Sequence, residues 1–301
     1  MIVPGSSLIY ELVEENADVQ LVVSGFEFTE GPLWSSEGYL LFSDIPGNVI
    51  RRWWEAGGKV EEVRRPSNMT NGLTFDAEGR LIACEHAISR VTRTEHDGTI
   101  TTLASHYRGK ELNSPNDVVV KSDGSIYFTD PAYGREAYFG VERPKELDFC
   151  GVYKIPPQDG DPTLLVDDFE APNGLCFSPD ESLLYVNDSE RMDIRVFNLT
   201  PDGTLKDGRI LLVEEYSEEM GEGNPDGMKV DERGNVYCTG PGGVWVIGRG
   251  GEHLGTIRVP EKASNLNWGG PGWNTLYITA STSVYRVPMR VCGNRLSYMS
   301  G

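Results

Sequence analysis

The chain repeats one pattern of polar and hydrophobic positions six times. Each copy has a polar residue, a short apolar stretch, a turn and a second stretch rich in β-branched and aromatic residues. In the second copy, for example, residues 71–75 are followed by a turn and by residues 79–83. Short apolar stretches between turn residues predict β-strands. The polar residues that begin the copies, here called the first positions, are Glu30, Asn71, Asn116, Asn173, Asp226 and Ser264.

Six similar units predict an all-β fold, a six-bladed β-propeller with a central channel, and argue against a two-sheet sandwich. The sixth copy ends after its third strand, so we expect the strand-like residues 19–23 to supply its outer strand. Such closure by an N-terminal strand would remove an exposed sheet edge. Residues 1–301 are expected to form a single propeller domain, in which the insertion at 131–150 is a loop over one mouth of the channel.

Composition and charge narrow the class of protein. The chain has 35 Gly and 18 Pro, and 39% of its residues are hydrophobic, which is typical of a turn-rich globular protein and excludes wholesale disorder. The net charge of −19 argues against nucleic acid and anionic membranes as partners. The five scattered cysteines have no metal-binding spacing and are expected to be reduced.

The N-terminal sequence has neither a basic flank nor an apolar run of signal-peptide length. We therefore predict a cytoplasmic protein; a periplasmic location would require a signal peptide that had been removed. The expected partner is a small molecule, and the sequence leaves the oligomeric state open.

The first positions are the main candidates for chemistry. The first strands of a propeller line its channel, so equivalent positions should converge at one depth. All six side chains carry oxygen, which suits Ca²⁺, Mg²⁺ or Mn²⁺. Glu30 and Asp226 would neutralise one divalent cation, and without it they would raise each other's pKa. The alternative is that these residues merely line a wet channel.

Residues that follow the second strands form another set of candidates. His86 either faces the channel mouth or lies at a strand end near the surface. Asp44, Asp130 and Asp188 occupy the corresponding place in other blades. We interpret Asp44 and Asp188 as turn-capping residues, whereas Asp130, beside the insertion, is either a cap or part of a second polar shell. Motifs for a serine nucleophile elbow, a zinc protease, a dinucleotide or a phosphate loop are absent from the sequence.

Five short motifs together resemble the gluconolactonase and regucalcin (senescence marker protein) family. In chain order they are Glu30-Gly-Pro-Leu-Trp34, Leu112-Asn-Ser-Pro-Asn-Asp117, Tyr127-Phe-Thr-Asp-Pro131, Pro172-Asn-Gly174 and Asn224-Pro-Asp-Gly227. The chain is most similar to the bacterial gluconolactonases. The resemblance implies a six-bladed propeller with one catalytic divalent cation in its channel. We expect Ca²⁺, with Zn²⁺, Mg²⁺ or Mn²⁺ as alternatives.

The resemblance also implies roles for individual residues. Glu30, Asn173 and Asp226 match the metal ligands of the family, and Asp226 also matches its catalytic acid/base. Asn116 matches a residue that contacts the substrate near the metal and in some members binds the metal. The further candidates for substrate contact are Asn71, Asp130 and His86.

The implied reaction is metal-assisted hydrolysis of a sugar-type (aldono-) lactone to the hydroxy acid. The cation would polarise the ring carbonyl, and Asp226 would act as general base on the attacking water. Two alternatives remain open at this point. The same site could hydrolyse other esters, such as phosphotriesters or acyl-lactones, or the protein could be a metal-binding propeller without catalytic activity.

Overall fold

The computed structural model describes residues 1–213 and 220–295. The described chain begins with strand β1 (Ile2–Pro4), a 3₁₀ helix (Ser7–Glu11) and strand β2 (Gln20–Ser24). A second 3₁₀ helix spans Tyr133–Arg135. Neither helix of the described residues is long and apolar enough to cross a membrane.

The strands that follow form six antiparallel blades, as the repeats predict. Blade one contains β3 (Thr29–Ser35), β4 (Tyr39–Asp44), β5 (Val49–Trp54) and β6 (Val60–Arg64). Blade two contains β7 (Thr70–Phe75), β8 (Leu81–Glu85), β9 (Arg90–Thr94) and β10 (Ile100–Ala104). A small hairpin follows, formed by β11 (His106–Tyr107) and β12 (Lys110–Glu111). Blade three contains β13 (Val118–Val120), β14 (Ile126–Asp130), β15 (Cys150–Ile155) and β16 (Thr163–Phe169).

The second half of the chain repeats this arrangement. Blade four contains β17 (Pro172–Phe177), β18 (Leu183–Asp188), β19 (Asp193–Leu199) and β20 (Leu205–Val213). Blade five contains β21 (Met228–Val230), β22 (Val236–Gly240), β23 (Gly243–Ile247) and β24 (His253–Arg258). Blade six contains β25 (Ala263–Gly269), β26 (Thr275–Ala280) and β27 (Ser283–Pro288).

The core lies within and between the blades. Strands β14 and β22 are buried along their whole length, whereas the outer strand β6 has no buried residue. A strand that is covered on both faces needs apolar side chains on both faces, so the second strand of each copy has a nearly continuous apolar sequence.

The N-terminal segment closes the ring. Strand β2 pairs with β27 as the outer strand of blade six, with Leu21 opposite Tyr285 and Ser24 opposite Ser283. This pairing confirms the closure predicted from the sequence. Strand β1 was not predicted; it adds a fifth strand to blade five by pairing with β24. The residues between β1 and β2 also contribute the fully buried side chains of Ile9 and Val13 to the core.

Candidate active site

A cavity of about 170 Å³ contains most of the predicted site residues. Five of the six first positions line it: Glu30, Asn71, Asn116, Asn173 and Asp226. The sixth, Ser264, is turned away from the cavity, since its hydroxyl donates to the backbone oxygens of Thr29 and Thr279. The expected convergence of equivalent positions is therefore seen for five blades.

Glycine after the first position allows the first strands to approach each other closely. A Cβ at Gly72 would lie 2.5 Å from the backbone oxygen of Asn116, and one at Gly174 would lie 2.1 Å from that of Asp226. Both distances are too short for any side chain, so only glycine fits here. Bulges at the same places, between Thr70 and Leu73 for example, interrupt the strand register. A bulge changes the direction of nearby side chains, which explains how the polar residues can face the channel.

Of the two carboxylates of the cavity, Glu30 is buried and Asp226 is half-buried. Glu30 is only 2% exposed, and its Oε2 accepts hydrogen bonds from Asn265 Nδ2 at 2.8 Å and from the Gly31 backbone N–H. Burial, with a further contribution from the charge of Asp117, raises the pKa of Glu30 to about 7. Burial and the charge of Glu30 also raise the pKa of Asp226 well above its ordinary value.

The amide of Asn173 is held in place by hydrogen bonds. Its Nδ2 donates to Ser189 Oγ at 3.0 Å, and a hydrogen bond from Asn173 lowers the pKa of Asp226. Asn116 is also buried and lines the cavity. Among the described residues, no group of three or more His, Cys, Asp or Glu side chains could hold a metal ion. A cation at the predicted place would therefore depend on amide oxygens as well as on the two carboxylates.

His86 lies inside the cavity wall and is 1% exposed, so it is not a surface residue at a strand end. Its Nδ1 is 3.0 Å from the backbone oxygen of Phe139, and its Nε2 is 3.3 Å from Asn71 Nδ2. Burial lowers the pKa of His86 to about 4. The imidazole is therefore neutral at physiological pH and links Asn71 to the loop at 131–150.

Asp130, a predicted candidate for substrate contact, does not line the cavity. It is fully buried, and its two carboxylate oxygens accept the backbone N–H groups of Asn113 and Ser114, both at 2.8 Å. Asp44 and Asp188 accept backbone N–H groups in the same way. All three carboxylates cap the segment that leads into the first strand of their blade. Asp188 also accepts from Glu190 and Arg191 in the turn that follows it, as the turn-capping interpretation predicts.

The sequence reasoning missed several residues of the cavity wall. Three of them stand two places before a first position: Phe28, Asn224 and Lys262. Alternate residues of an extended chain point to the same side, so this spacing could have identified them.

Two more wall residues, Tyr133 and Phe139, come from the loop at 131–150. The ring of Phe139 meets that of Phe28 edge to face, with 5.0 Å between the ring centroids. Through these two residues the loop forms part of the cavity wall, and Phe139 contacts Phe28 of blade one as well as His86 of blade two.

A larger cavity, of about 270 Å³, is formed by residues further along the first strands. Its lining includes the apolar side chains of Leu33, Leu73, Val118 and Phe177, and none of the first positions. We therefore assign the chemistry to the smaller cavity, where the two carboxylates and four amides meet.

Fold and site together define the class of the protein as a six-bladed propeller with an oxygen-rich cavity in its channel. The chain belongs to the SMP-30/gluconolactonase/LRE-like family, whose model matches residues 28–282. It is 34% identical to a gluconolactonase of Zymomonas mobilis, over 94% of this chain and 84% of that protein. A regucalcin of Xenopus laevis is 27% identical over 87% of this chain and 86% of its own length. The solved structure of a gluconolactonase from Xanthomonas campestris superposes with a TM-score of 0.87, at 32% identity, and covers 96% of this chain and 94% of that one. The family resemblance inferred from the five motifs is thereby confirmed.

Proposed function

We propose that the protein is a lactone hydrolase that opens a sugar-type (aldono-) lactone to its hydroxy acid with the help of one divalent cation. The observation that carries this proposal is that two carboxylates, the buried Glu30 and the half-buried Asp226, line one cavity with the amides of Asn116 and Asn173. The similarity to proteins named gluconolactonase supports the choice of a lactone as substrate.

The residues of the cavity fit a hard divalent cation. Burial, and after it the charge of Glu30, raises the pKa of Asp226, so a cation bound to both carboxylates would relieve their repulsion. Glu30, Asn173 and Asp226 would hold it, with Asn116 as a further ligand or as a contact to the substrate. Carboxylate and amide oxygens are typical ligands of Ca²⁺, which we expect, and they also accommodate Mg²⁺ or Mn²⁺. When bound, the cation would polarise the lactone carbonyl.

Asp226 is the proposed acid/base. It takes a proton from the water that attacks the carbonyl carbon, and it returns a proton to the ring oxygen when the ring C–O bond breaks. The new C–O bond and the released hydroxyl together give the hydroxy acid. Without the cation, burial and the charge of Glu30 raise the pKa of Asp226. A bound cation would favour the ionised carboxylate, which is the form that accepts the proton. Tyr133 and Phe139 would shield the reacting atoms from bulk water.

A metal-dependent activity assay tests this proposal. The protein is treated with a chelator, and hydrolysis of glucono-δ-lactone is then followed after addition of Ca²⁺, Mg²⁺, Mn²⁺ or Zn²⁺. We expect chelation to abolish turnover and at least one cation to restore it, with aldono-lactones hydrolysed faster than a phosphotriester or an acyl-lactone. Hydrolysis no faster than the spontaneous rate with every cation would contradict the proposal.

A further inference from the structure

His86 has two hydrogen-bond partners whose chemistry fixes the direction of each bond. The backbone oxygen of Phe139 can only accept, so Nδ1 of His86 must carry the hydrogen and donate to it. Because burial, and to a lesser extent the charge of Arg143, lowers the pKa of His86, the ring is neutral and Nε2 keeps its lone pair. Nε2 is then an acceptor.

The orientation of the Asn71 amide follows from the tautomer of His86. An accepting Nε2 requires a donor, so the NH₂ group of Asn71 must face the ring. Asn71 Oδ1 therefore points away from His86. This oxygen is buried and has no hydrogen-bond partner in the described part of the chain, and the residue lines the cavity. Buried acceptors in native structures are normally paired, so the unpaired oxygen indicates a place for a donor group of a ligand.

We propose that Asn71 Oδ1 accepts a hydroxyl hydrogen of the substrate and that His86 is a positioning residue that fixes the Asn71 amide for this contact. The inference rests on the proposed lactonase function and narrows its substrate class to lactones with a hydroxyl group at this place. The loop at 131–150 fixes the orientation of the Asn71 amide indirectly, because the backbone oxygen of Phe139 holds the His86 ring. A lactone with a methylene group there leaves Oδ1 unpaired and is disfavoured.

Binding of two lactams tests the proposal without the need for turnover. Glucono-δ-lactam carries hydroxyl groups, whereas δ-valerolactam has none, and their affinities are measured by calorimetry in the presence of the cation that supports activity, or of Ca²⁺ if none does. We expect Asn71→Leu to weaken binding of the hydroxylated lactam by about tenfold or more, the effect of one lost hydrogen bond. The loss for δ-valerolactam should be much smaller. Asn198→Leu on the outer part of blade four, where Asn198 bonds Asp207, is the matched control and should change neither affinity.

Variants of His86 separate positioning from direct contact with the ligand. His86→Phe keeps a ring but cannot accept from Asn71, so it should reduce the preference for the hydroxylated lactam. Adding Asn71→Leu to this variant should cause little further loss, because both changes remove one contact. His86→Gln should restore most of the preference, since a Gln amide that donates to Phe139 leaves its oxygen to accept from Asn71. Thermal unfolding of each variant checks that it is folded, and His86→Gln still tests the proposal if His86→Phe does not fold.

Several outcomes would overturn the inference. The first is that the wild-type protein does not prefer the hydroxylated lactam. The second is that Asn71→Leu loses the same affinity for both lactams, and the third is that His86→Phe keeps the preference of the wild type. A wild-type protein that prefers the hydroxylated lactam but hydrolyses no lactone would contradict the proposed function while supporting this assignment of Asn71 and His86.

Discussion

Glu30 is surrounded by groups with opposing effects on its charge. Asn265 Nδ2 and the Gly31 N–H donate to its carboxylate, which favours the ionised form, whereas burial and the charge of Asp117 disfavour it. Burial is the largest effect, and it raises the pKa of Glu30 to about 7. The hydrogen bonds therefore orient the carboxylate, but they do not compensate for its enclosure. A ligand that brings positive charge would compensate for this enclosure.

The raised pKa of Glu30 predicts how the stability of the metal-free protein depends on pH. Since the folded pKa of about 7 lies above the ordinary 4.5, stability is fully present below about pH 4.5 and is lost as pH rises through 7. We expect the melting temperature of the chelated protein to fall over this range. The corresponding decrease in the free energy of unfolding is on the order of 1–3 kcal/mol.

Glu30→Gln is the matched variant for this prediction, because it keeps the size of the side chain and cannot ionise. Its melting temperature should fall less between pH 5 and pH 7, and saturating Ca²⁺ should reduce the fall in the wild type. Identical pH profiles for the chelated wild type and variant, measured by calorimetry, would show that Glu30 does not carry this penalty.

At the scale of elements, the N-terminal segment holds together two blades. Strand β1 extends blade five, strand β2 completes blade six, and the segment between them buries Ile9, Leu12 and Val13 in the core. Without β2, the edge of β27 would be exposed and the sheet of blade six would have three strands. Blade six would then join blade one through side-chain packing and through hydrogen bonds of Thr29 with Ser281 and Ser264.

Truncation tests the contribution of β2. A chain that starts at Ser24 should have a clearly lower melting temperature than the full chain. A second chain that starts at Asp18 lacks β1 and the 3₁₀ helix but keeps β2, so it measures the loss that comes from β1 and from the buried residues before β2. We expect the chain starting at Ser24 to be the less stable of the two. Equal melting temperatures of the two truncated chains would mean that β2 does not stabilise the closure.

At the scale of the whole molecule, the sequence predicted the fold well, because the copies share the same constraints in the same order. A polar first position and a doubly covered second strand recur in all six copies, and a close approach that needs glycine recurs in four of them. Strand β1 was missed because three residues, Ile2–Pro4, carry too little pattern to indicate which blade they join.

The site was predictable where a residue occupies an equivalent position in a blade, as for Glu30 and Asn173. It was not predictable where the environment depends on a distant segment. The burial of His86 requires the loop containing Phe139, which follows 53 residues later in the chain. Asn265, which orients Glu30, lies 235 residues from it. The first pair forms because the loop of blade three lies against blade two, and the second forms because the ring closes. Local spacing in the sequence indicates neither pair.

The central claim is that Asp226 acts as acid and base in lactone hydrolysis within the channel. The most direct test is kcat of Asp226→Asn for glucono-δ-lactone at saturating cation, with the occupancy of the cation measured separately. Asn keeps an oxygen that can bind a cation and removes the basic group. General base catalysis contributes about 10²–10⁴-fold, so kcat should fall by at least about two orders of magnitude at full occupancy. Asn116→Ala is the comparison, and it should act mainly on KM. Near-normal kcat in a fully occupied Asp226→Asn variant would contradict the account.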